Sequence, residues 1–310
     1  MSSSFAGYDV IGDVHGHAEL LEKLLKGLGY TLKDGAWHHS ERQALFLGDL
    51  IDRGPESVRT YRIVHAMTES GAARCLMGNH EYNAVCFVTP DPDRPGHFLR
   101  NNTSDKNRRQ HGAFLAEVGN RSPLHAELIS WFKTLPLWLE LDDFCVVHAC
   151  WSERSMAVLR PFMALEGVLP EFLYPATAHK GTAASRAVVE LCKGPERLIS
   201  DSFLDKDGSP RKNARVCWWA KQPGGGRVWC IREGRPVLTE LREPLNGTWP
   251  LRKPVLFGHY WLDRSLPAKP LTPMAACLDF SAGRGGPLAC YRFDCGDTAL
   301  TGDKFFVMQP

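Results

Sequence analysis

Five short stretches of the 310-residue chain place metal-competent side chains directly after apolar runs. YDVIGDVHG at 8–16 presents Asp13 and His15, LFLGDL at 45–50 presents Asp49, and CLMGNHE at 75–81 presents Asn79 and His80. FCVVHAC delivers His148 and VLFGHYW delivers His259. A turn alone accounts for any one of these, because Gly and Asp are turn formers. Five strand ends together call for chemistry. Asp, Asn and His are hard-to-borderline ligands suited to Mn²⁺, Fe, Zn²⁺ or Ni²⁺. A carboxylate is able to bridge two ions, and two ions about 3.5–4 Å apart acidify a shared water and clamp both oxygens of an in-line displacement at phosphorus. Arg53, in GDLIDRGPES, adds a planar guanidinium fork that matches phosphate oxygens.

The elements that must position these groups follow an α/β rhythm. YDVI is a short apolar strand, and AELLEKLLKGLGY carries Leu20, Leu21, Leu24, Leu25 and Leu28 at helical spacing with Gly29 as its stop. ALFL at 44–47 reads as a buried strand, SVRTYRIVHAMTESG as a helix and RCLM at 74–77 as a further strand. Such β-α-β units imply a sheet with a substantial parallel component. Ligands bind at the carboxyl ends of strands in sheets of this kind, so the five groups are expected to converge on one crevice. Residues 82–125, with TPDPDRPG and RNNTSDKNRRQHG, read as an irregular, basic excursion before AELISWFKTLPLWLELDDFCVVHAC returns to a helix and strands. Residues 160–250 read as a second irregular region with KDGSPRKN and KQPGGGR as turns, before short strands in PVLFGH, ACLDFSAGRGG and LACYRFD. The expected organisation is one catalytic domain over 1–310, with 82–125 and 160–250 as cap-like insertions around the site.

Composition narrows the class. With 44% hydrophobic and 23% charged residues the chain fits a soluble globular protein. A formal charge of +2 does not by itself imply a nucleic-acid or membrane partner. No apolar run approaches the ~20 residues of a membrane helix. MSSSFAGYDV lacks a charged n-region and an apolar h-region, so no secretory signal is read. Ten cysteines without a C-x-x-C read as reduced thiols, and a cytoplasmic location is expected. Cys150 reads as packing rather than as a nucleophile. His17, His38, His39, His65, His97, His111, His125 and His179 match no ligand pattern and read as surface or locally bonded residues. Trp218 and Trp219 read first as core packing or a lid, and second as a stacking platform for a nucleobase. Arg94, Arg100, Lys106, Arg108 and Arg109 form either a solvated loop or a basic rim for a polyanion, with Arg108 and Arg109 the candidate substrate-binding pair.

GDVHG, GDLIDRG and GNHE, followed by the lone histidines of VVHAC and FGHYW and by LDFSAGRGG, resemble the metallophosphoesterases of the phosphoprotein phosphatase type. Within that family the stretch from YDVIGDVHG to ARCLMGNHEYN, residues 8–83, looks most like bacterial PrpE-type symmetrical diadenosine tetraphosphatases and the phosphatase domain of bacterial polynucleotide kinase–phosphatase. The resemblance implies a four-layer fold of two mixed β-sheets packed face to face with helices outside. It implies that Asp13 and His15 hold one divalent ion, that Asp49 bridges, and that Asn79, His148 and His259 hold the second. It makes Arg53 the phosphate clamp and His80 the general acid. Asp52 orients His80, since a carboxylate behind a His fixes its tautomer and raises its basicity. Two ions are implied, Mn²⁺ first and Fe, Zn²⁺ or Ni²⁺ next, with attack by a bridging hydroxide and no covalent enzyme intermediate. GHYW has one histidine where broader phosphodiesterases carry G-H-x-H, which favours the phosphatase branch. HAC stands where HAG or HGG is usual, which leaves the shape of the His148 loop open.

The expected substrates are nucleoside polyphosphates of the diadenosine tetraphosphate type, then phosphoprotein serine/threonine esters, then nucleic-acid end or cyclic phosphates. A stable nucleic-acid or membrane partner is not expected. A non-catalytic scaffold with this fold would have lost a ligand or the general acid, and none of the seven ligand and acid positions is lost.

Overall fold

The computed structural model describes residues 5–165, 167–204, 210–245 and 247–310. Its first half carries out the β-α-β reading. β1 (Gly7–Ile11) leads to α1 (Ala18–Leu28), whose buried face includes the leucines at helical spacing and whose last turn is closed by Gly29 at φ 93°. A small β2–β3 hairpin (Thr31–Lys33, Ala36–His38) precedes β4 (Arg42–Phe46), α2 (Ser57–Glu69), β5 (Ala73–Cys75) and α3 (Asn79–Val88). Then come α4 (Asp105–Val118), α5 (Pro123–Phe132), β6 (Trp138–Glu140) and β7 (Cys145–Val147). The helices α6 (Glu153–Leu159), α7 (Tyr174–Ala178) and α8 (Ala183–Lys193) lead into strands β8 (Glu196–Leu204), β9 (Pro210–Val216), β10 (Arg227–Arg232) and β11 (Arg235–Glu240). Strands β12 (Val255–Phe257), β13 (Ala275–Cys277), β14 (Leu288–Asp294) and β15 (Phe305–Met308) complete the chain.

Two mixed sheets form the centre, in the orders β15-β14-β1-β4-β5 and β13-β12-β7-β6. Period-two alternation decides which side chains meet between them. Tyr8, Val10, Leu45 and Leu47 of the first sheet pack in one cluster with Val146, Leu256, Ala276 and Leu278 of the second. Their neighbours Ile11, Phe46, Val147 and Phe257 turn outward into a core shared with the leucines of α1 and with the other helices. The result is the expected sandwich, helices outside and two sheets within.

Two segments read as irregular are regular in the structure. Within 82–125, α4 buries only His111, Phe114 and Val118, a stripe too narrow to stand out among its polar residues. Within 160–250, β8 to β11 form an antiparallel four-stranded sheet. Ile199 is fully buried on β8 but most of that strand is exposed, so the apolar alternation that marks a strand is missing.

Arg42 staples three strands of the first sheet. Its Nε donates to the fully buried Asp9 carboxylate at 2.8 Å, and its Nη2 donates to the Tyr8 and Phe293 carbonyls at 2.9 and 2.8 Å. Removing one partner of a buried pair costs about 3–5 kcal/mol. Arg292 still pairs with Asp9 at 3.1 Å, so Arg42→Ala is expected to lose about 3 kcal/mol, at the low end of that range, measurable as a lower urea midpoint.

Candidate metal centre and active site

Parallel register brings the ligand-bearing loops to one edge. Ile11 pairs with Phe46 and Phe46 with Cys75, so the loops after β1, β4 and β5 leave the first sheet side by side. In the second sheet Phe257 pairs with Val147, which sets His148 and His259 together. The two edges are tied where the His259 N–H donates to Asp13 at 3.1 Å, and within the second sheet the Gly258 N–H donates to the His148 carbonyl at 2.8 Å. Gly258 is required there, because a Cβ would overlap Asp13 Oδ1. Gly48 is required for the same reason, at φ 93° with Gly78 N against the position of its Cβ. His15, Asp49, Asp52, Arg53 and His259 all adopt positive φ, a costly conformation for side chains other than Gly that collects at functional sites.

Asp49 is the hinge of the arrangement. Its Oδ1 lies 3.4 Å from His148 Nε2, and its Oδ2 lies 3.7 Å from His15 Nε2 and 3.8 Å from His80 Nε2. Two groups of metal-competent atoms result, His15–Asp49–His80 and Asp49–His148–His259, sharing the Asp49 carboxylate. Asn79 joins the second, its Oδ1 3.3 Å from His148 Nε2. The outer nitrogens are already committed: His15 Nδ1 donates to the Ile51 carbonyl at 3.0 Å and His148 Nδ1 to the Leu47 carbonyl at 2.7 Å. Those bonds aim each Nε2 inward, as metal-ligating histidines require. Glu81 supports the loops instead of the centre, accepting the N–H groups of Gly78, Asp49 and Leu50 at 2.8–2.9 Å.

The residues present fit two divalent cations. Among the described residues, His15 Nε2 and both ring nitrogens of His259 are buried and meet no hydrogen-bond partner, an arrangement that costs free energy unless a ligand fills it. Burial and the nearby His80 hold His15 down at about 3, and burial and Arg215 hold His259 well below its usual range, so both stay neutral donors. Burial and the Asp279 and Asp49 carboxylates push Asp13 well up, a crowding of acids that cations would relieve. Burial opposes charge on His148, but Asp49 overrides it and lifts His148 to about 10.

Beside this centre His80 Nδ1 lies 2.5 Å from Asp52 Oδ2. The other Asp52 oxygen takes a bond from His111 Nδ1 at 2.9 Å. Burial alone would raise Asp52, but these two bonds hold it below the usual carboxylate range, while burial of His80 is outweighed by Asp49 and Asp52, which raise it. His111 therefore belongs to the site, although no sequence pattern marks it beyond its place on the buried stripe of α4. Arg53 stacks on the Trp261 ring at 3.9 Å, with Arg284 at 4.9 Å from the same ring. Trp261 occupies the position of the missing second histidine of G-H-x-H, and its N–H is held by Asp279 at 2.7 Å.

These groups open into a cavity of about 580 Å³ whose wall includes residues of both segments named as insertions, among them Arg100, Lys106, Lys193 and Arg215. Arg108 and Arg109 are not on that wall. Arg108 lines a separate hollow with Phe87 and Phe98. Helix α4 turns Lys106, Asn107, Gln110 and His111 toward the cavity, and positions 108 and 109 fall outside that face. Arg94 pairs with Asp91 instead. Trp218 and Trp219 are buried against Phe257, with Trp218 Nε1 donating to the Ala149 carbonyl, which is the packing reading. Cys150 is likewise buried, and its N–H donates to the Leu191 carbonyl at 3.3 Å.

Residues 8–167, slightly more than half of the chain, match the calcineurin-like phosphoesterase sequence family. The chain belongs to that family. Among relatives of this phosphoesterase-family chain is the bis(5′-nucleosyl)-tetraphosphatase PrpE [asymmetrical] of Oceanobacillus iheyensis, 36% identical over 142 residues, which cover 46% of this chain and 54% of that protein. A symmetrical bis(5′-nucleosyl)-tetraphosphatase of Janthinobacterium is 26% identical over 232 residues, covering 75% of this chain and 65% of that protein. This chain thus spans about half the length of the PrpE relatives it matches. The fold is shared with a protein serine/threonine phosphatase from Saccharomyces cerevisiae, with a TM-score of 0.54 at 14% identity over 100% of this chain and 81% of that one. Among the described residues no helix is long and apolar enough to cross a membrane.

Proposed function

We propose that the protein is a two-metal phosphoesterase that hydrolyses nucleoside polyphosphates of the diadenosine tetraphosphate type, with Mn²⁺ the first candidate metal and the cytoplasm its location. The observation that carries the reading is the Asp49 carboxylate, whose two oxygens face two different groups of buried imidazole nitrogens, one toward His148 and the other toward His15 and His80. Asp13 and His15 would hold one ion, Asn79, His148 and His259 the other, with Asp49 shared. When bound, such ions supply positive charge to the phosphoryl oxygens and acidify the attacking water. The chain does the rest. Arg53, fixed on the Trp261 face, offers its fork to the phosphate. His80 carries a proton on Nε2 while Asp52 holds Nδ1, and hands it to the leaving oxygen as the P–O bond breaks. Asp52 is fixed from behind by His111, so the imidazole cannot swing away from Asp49. Segments 82–125 and 160–250 act as the cap of a single catalytic domain. A cationic, walled cavity suits a small polyanion better than a protein surface carrying one phosphate.

A panel assay tests this reading: metal-loaded protein with diadenosine tetraphosphate, phosphoserine peptide, and cyclic and terminal nucleotide phosphates. The proposal expects fastest turnover of the dinucleotide. Preference for the peptide would transfer the protein to the phosphoprotein phosphatases, and no turnover with any divalent metal would make it a scaffold.

A further inference from the structure

The described cavity wall carries seven Lys and Arg side chains against the carboxylates of Asp49, Asp52, Glu196 and Glu233. Arg53 is stacked on Trp261, and Arg215 is occupied with the His259 carbonyl at 3.3 Å and with the Tyr260 ring. Lys106, Lys180 and Arg211 are exposed at the rim. Two further cations sit deeper, partly shielded from water: Arg100, just before α4, and Lys193, the last residue of α8. Neither is in an ion pair with a described residue. Arg100 donates through Nη2 to the neutral Gln110 amide oxygen at 2.9 Å, which orients its guanidinium without neutralising it.

Both side chains line the same cavity, and their electrostatics favour an anion there. Burial lowers the pKa of Lys193, and the neighbouring charge of Arg100 lowers it further, while Cys192 and the Glu196 carboxylate on the same wall pull the other way without cancelling the effect. Burial lowers Arg100 too, with Cys86 and Asp52 pulling the other way. Two cations that repel one another in a half-buried pocket cost free energy unless an anion sits between them. They also flank the candidate centre. Arg100 lies within electrostatic reach of Asp52 and Lys193 within reach of His259, so an anion held by both lies beside the phosphoryl group that Arg53 would clamp.

We propose that Arg100 and Lys193 form a second anion subsite, which grips a phosphate of the substrate other than the one attacked. The proposal rests on the phosphoesterase reading for what the neighbouring site does, and it narrows the substrate class. Compounds with consecutive phosphates fill both positions, and simple monophosphate esters fill one. The subsite is built from the two inserted segments and not from the metal-ligand loops, so it is a property of this chain's cap.

Calorimetric titration of the full chain at fixed free Mn²⁺ tests it, with the non-hydrolysable imido analogue of inorganic triphosphate as probe and orthophosphate as control. Charge-assisted contacts of this type lead us to expect about a tenfold or larger loss of imidotriphosphate affinity in Arg100→Gln and in Lys193→Gln. Lys193→Arg keeps the charge and is expected to retain the wild-type affinity within about threefold. Orthophosphate affinity is expected to stay within about twofold throughout, since a single phosphate has the Arg53 position to itself. Unchanged imidotriphosphate affinity in both neutral variants overturns the proposal, and so does an equal loss for orthophosphate. Binding and turnover separate the two readings. If imidotriphosphate affinity depends on Arg100 and Lys193 while no substrate of the panel is hydrolysed, the subsite stands and the phosphoesterase reading falls.

Discussion

Asp49→Asn is expected to empty both metal positions and to lower turnover by about 10³-fold or more. Asp49 faces both ligand groups, with Oδ1 toward His148 and Oδ2 toward His15 and His80. An amide has one acceptor oxygen and no charge, so it serves one group at most and neutralises neither. Divalent ions supply several kcal/mol of transition-state charge stabilisation, and each 1.36 kcal/mol is tenfold in rate, which gives the stated magnitude. The neighbouring ligands act more locally. His15→Ala is expected to weaken the first position and His259→Ala the second, each leaving the other ion in place. Elemental analysis of purified variants reads this pattern, and full two-metal occupancy in Asp49→Asn would show that the bridge lies elsewhere.

His80→Asn is expected to lose about 10²–10⁴-fold with phosphoserine, the range typical of general acid catalysis, and clearly less with p-nitrophenyl phosphate. A serine alkoxide needs a proton to leave, whereas p-nitrophenolate is stable without one. Asp52→Asn should show the same dependence on leaving group more weakly, since Asp52 acts through the imidazole. His111→Leu removes one of the two side-chain bonds to Asp52 and should be milder still. Metal content is expected to stay near wild type in all three. An equal loss on both substrates would show that His80 is not the general acid, and a loss of metal in His80→Asn would make it a ligand, consistent with its place 3.8 Å from Asp49.

The parts of this site legible in the sequence are those written as local pattern. Asp13, His15, Asp49, Asn79, His148 and His259 each follow an apolar strand directly, so strand register alone brings them together. The pairing of Asp52 with His80 comes from the family resemblance and not from local pattern, and the structure places the two side chains in contact. His111 was not legible, because its contact with Asp52 spans 59 residues and its helix carries a faint apolar stripe. The cationic wall was legible in composition but not in direction. Arg100 and Lys106 face the cavity while Arg108 and Arg109 do not, a difference set by the angular position of each residue on or before α4. The four-stranded sheet built from β8 to β11 escaped for a further reason: three of its strands, β8, β9 and β11, bury few side chains, so periodic burial left little trace in their residues.

The central claim is that two divalent ions, joined through Asp49, are needed for hydrolysis. Stepwise reconstitution of metal-stripped protein with Mn²⁺, followed by diadenosine tetraphosphate turnover at each addition, tests it most directly. Activity is expected to rise to a plateau at two equivalents of metal per chain and to stay absent in chelator. A plateau at one equivalent, or turnover that survives chelation, would contradict it.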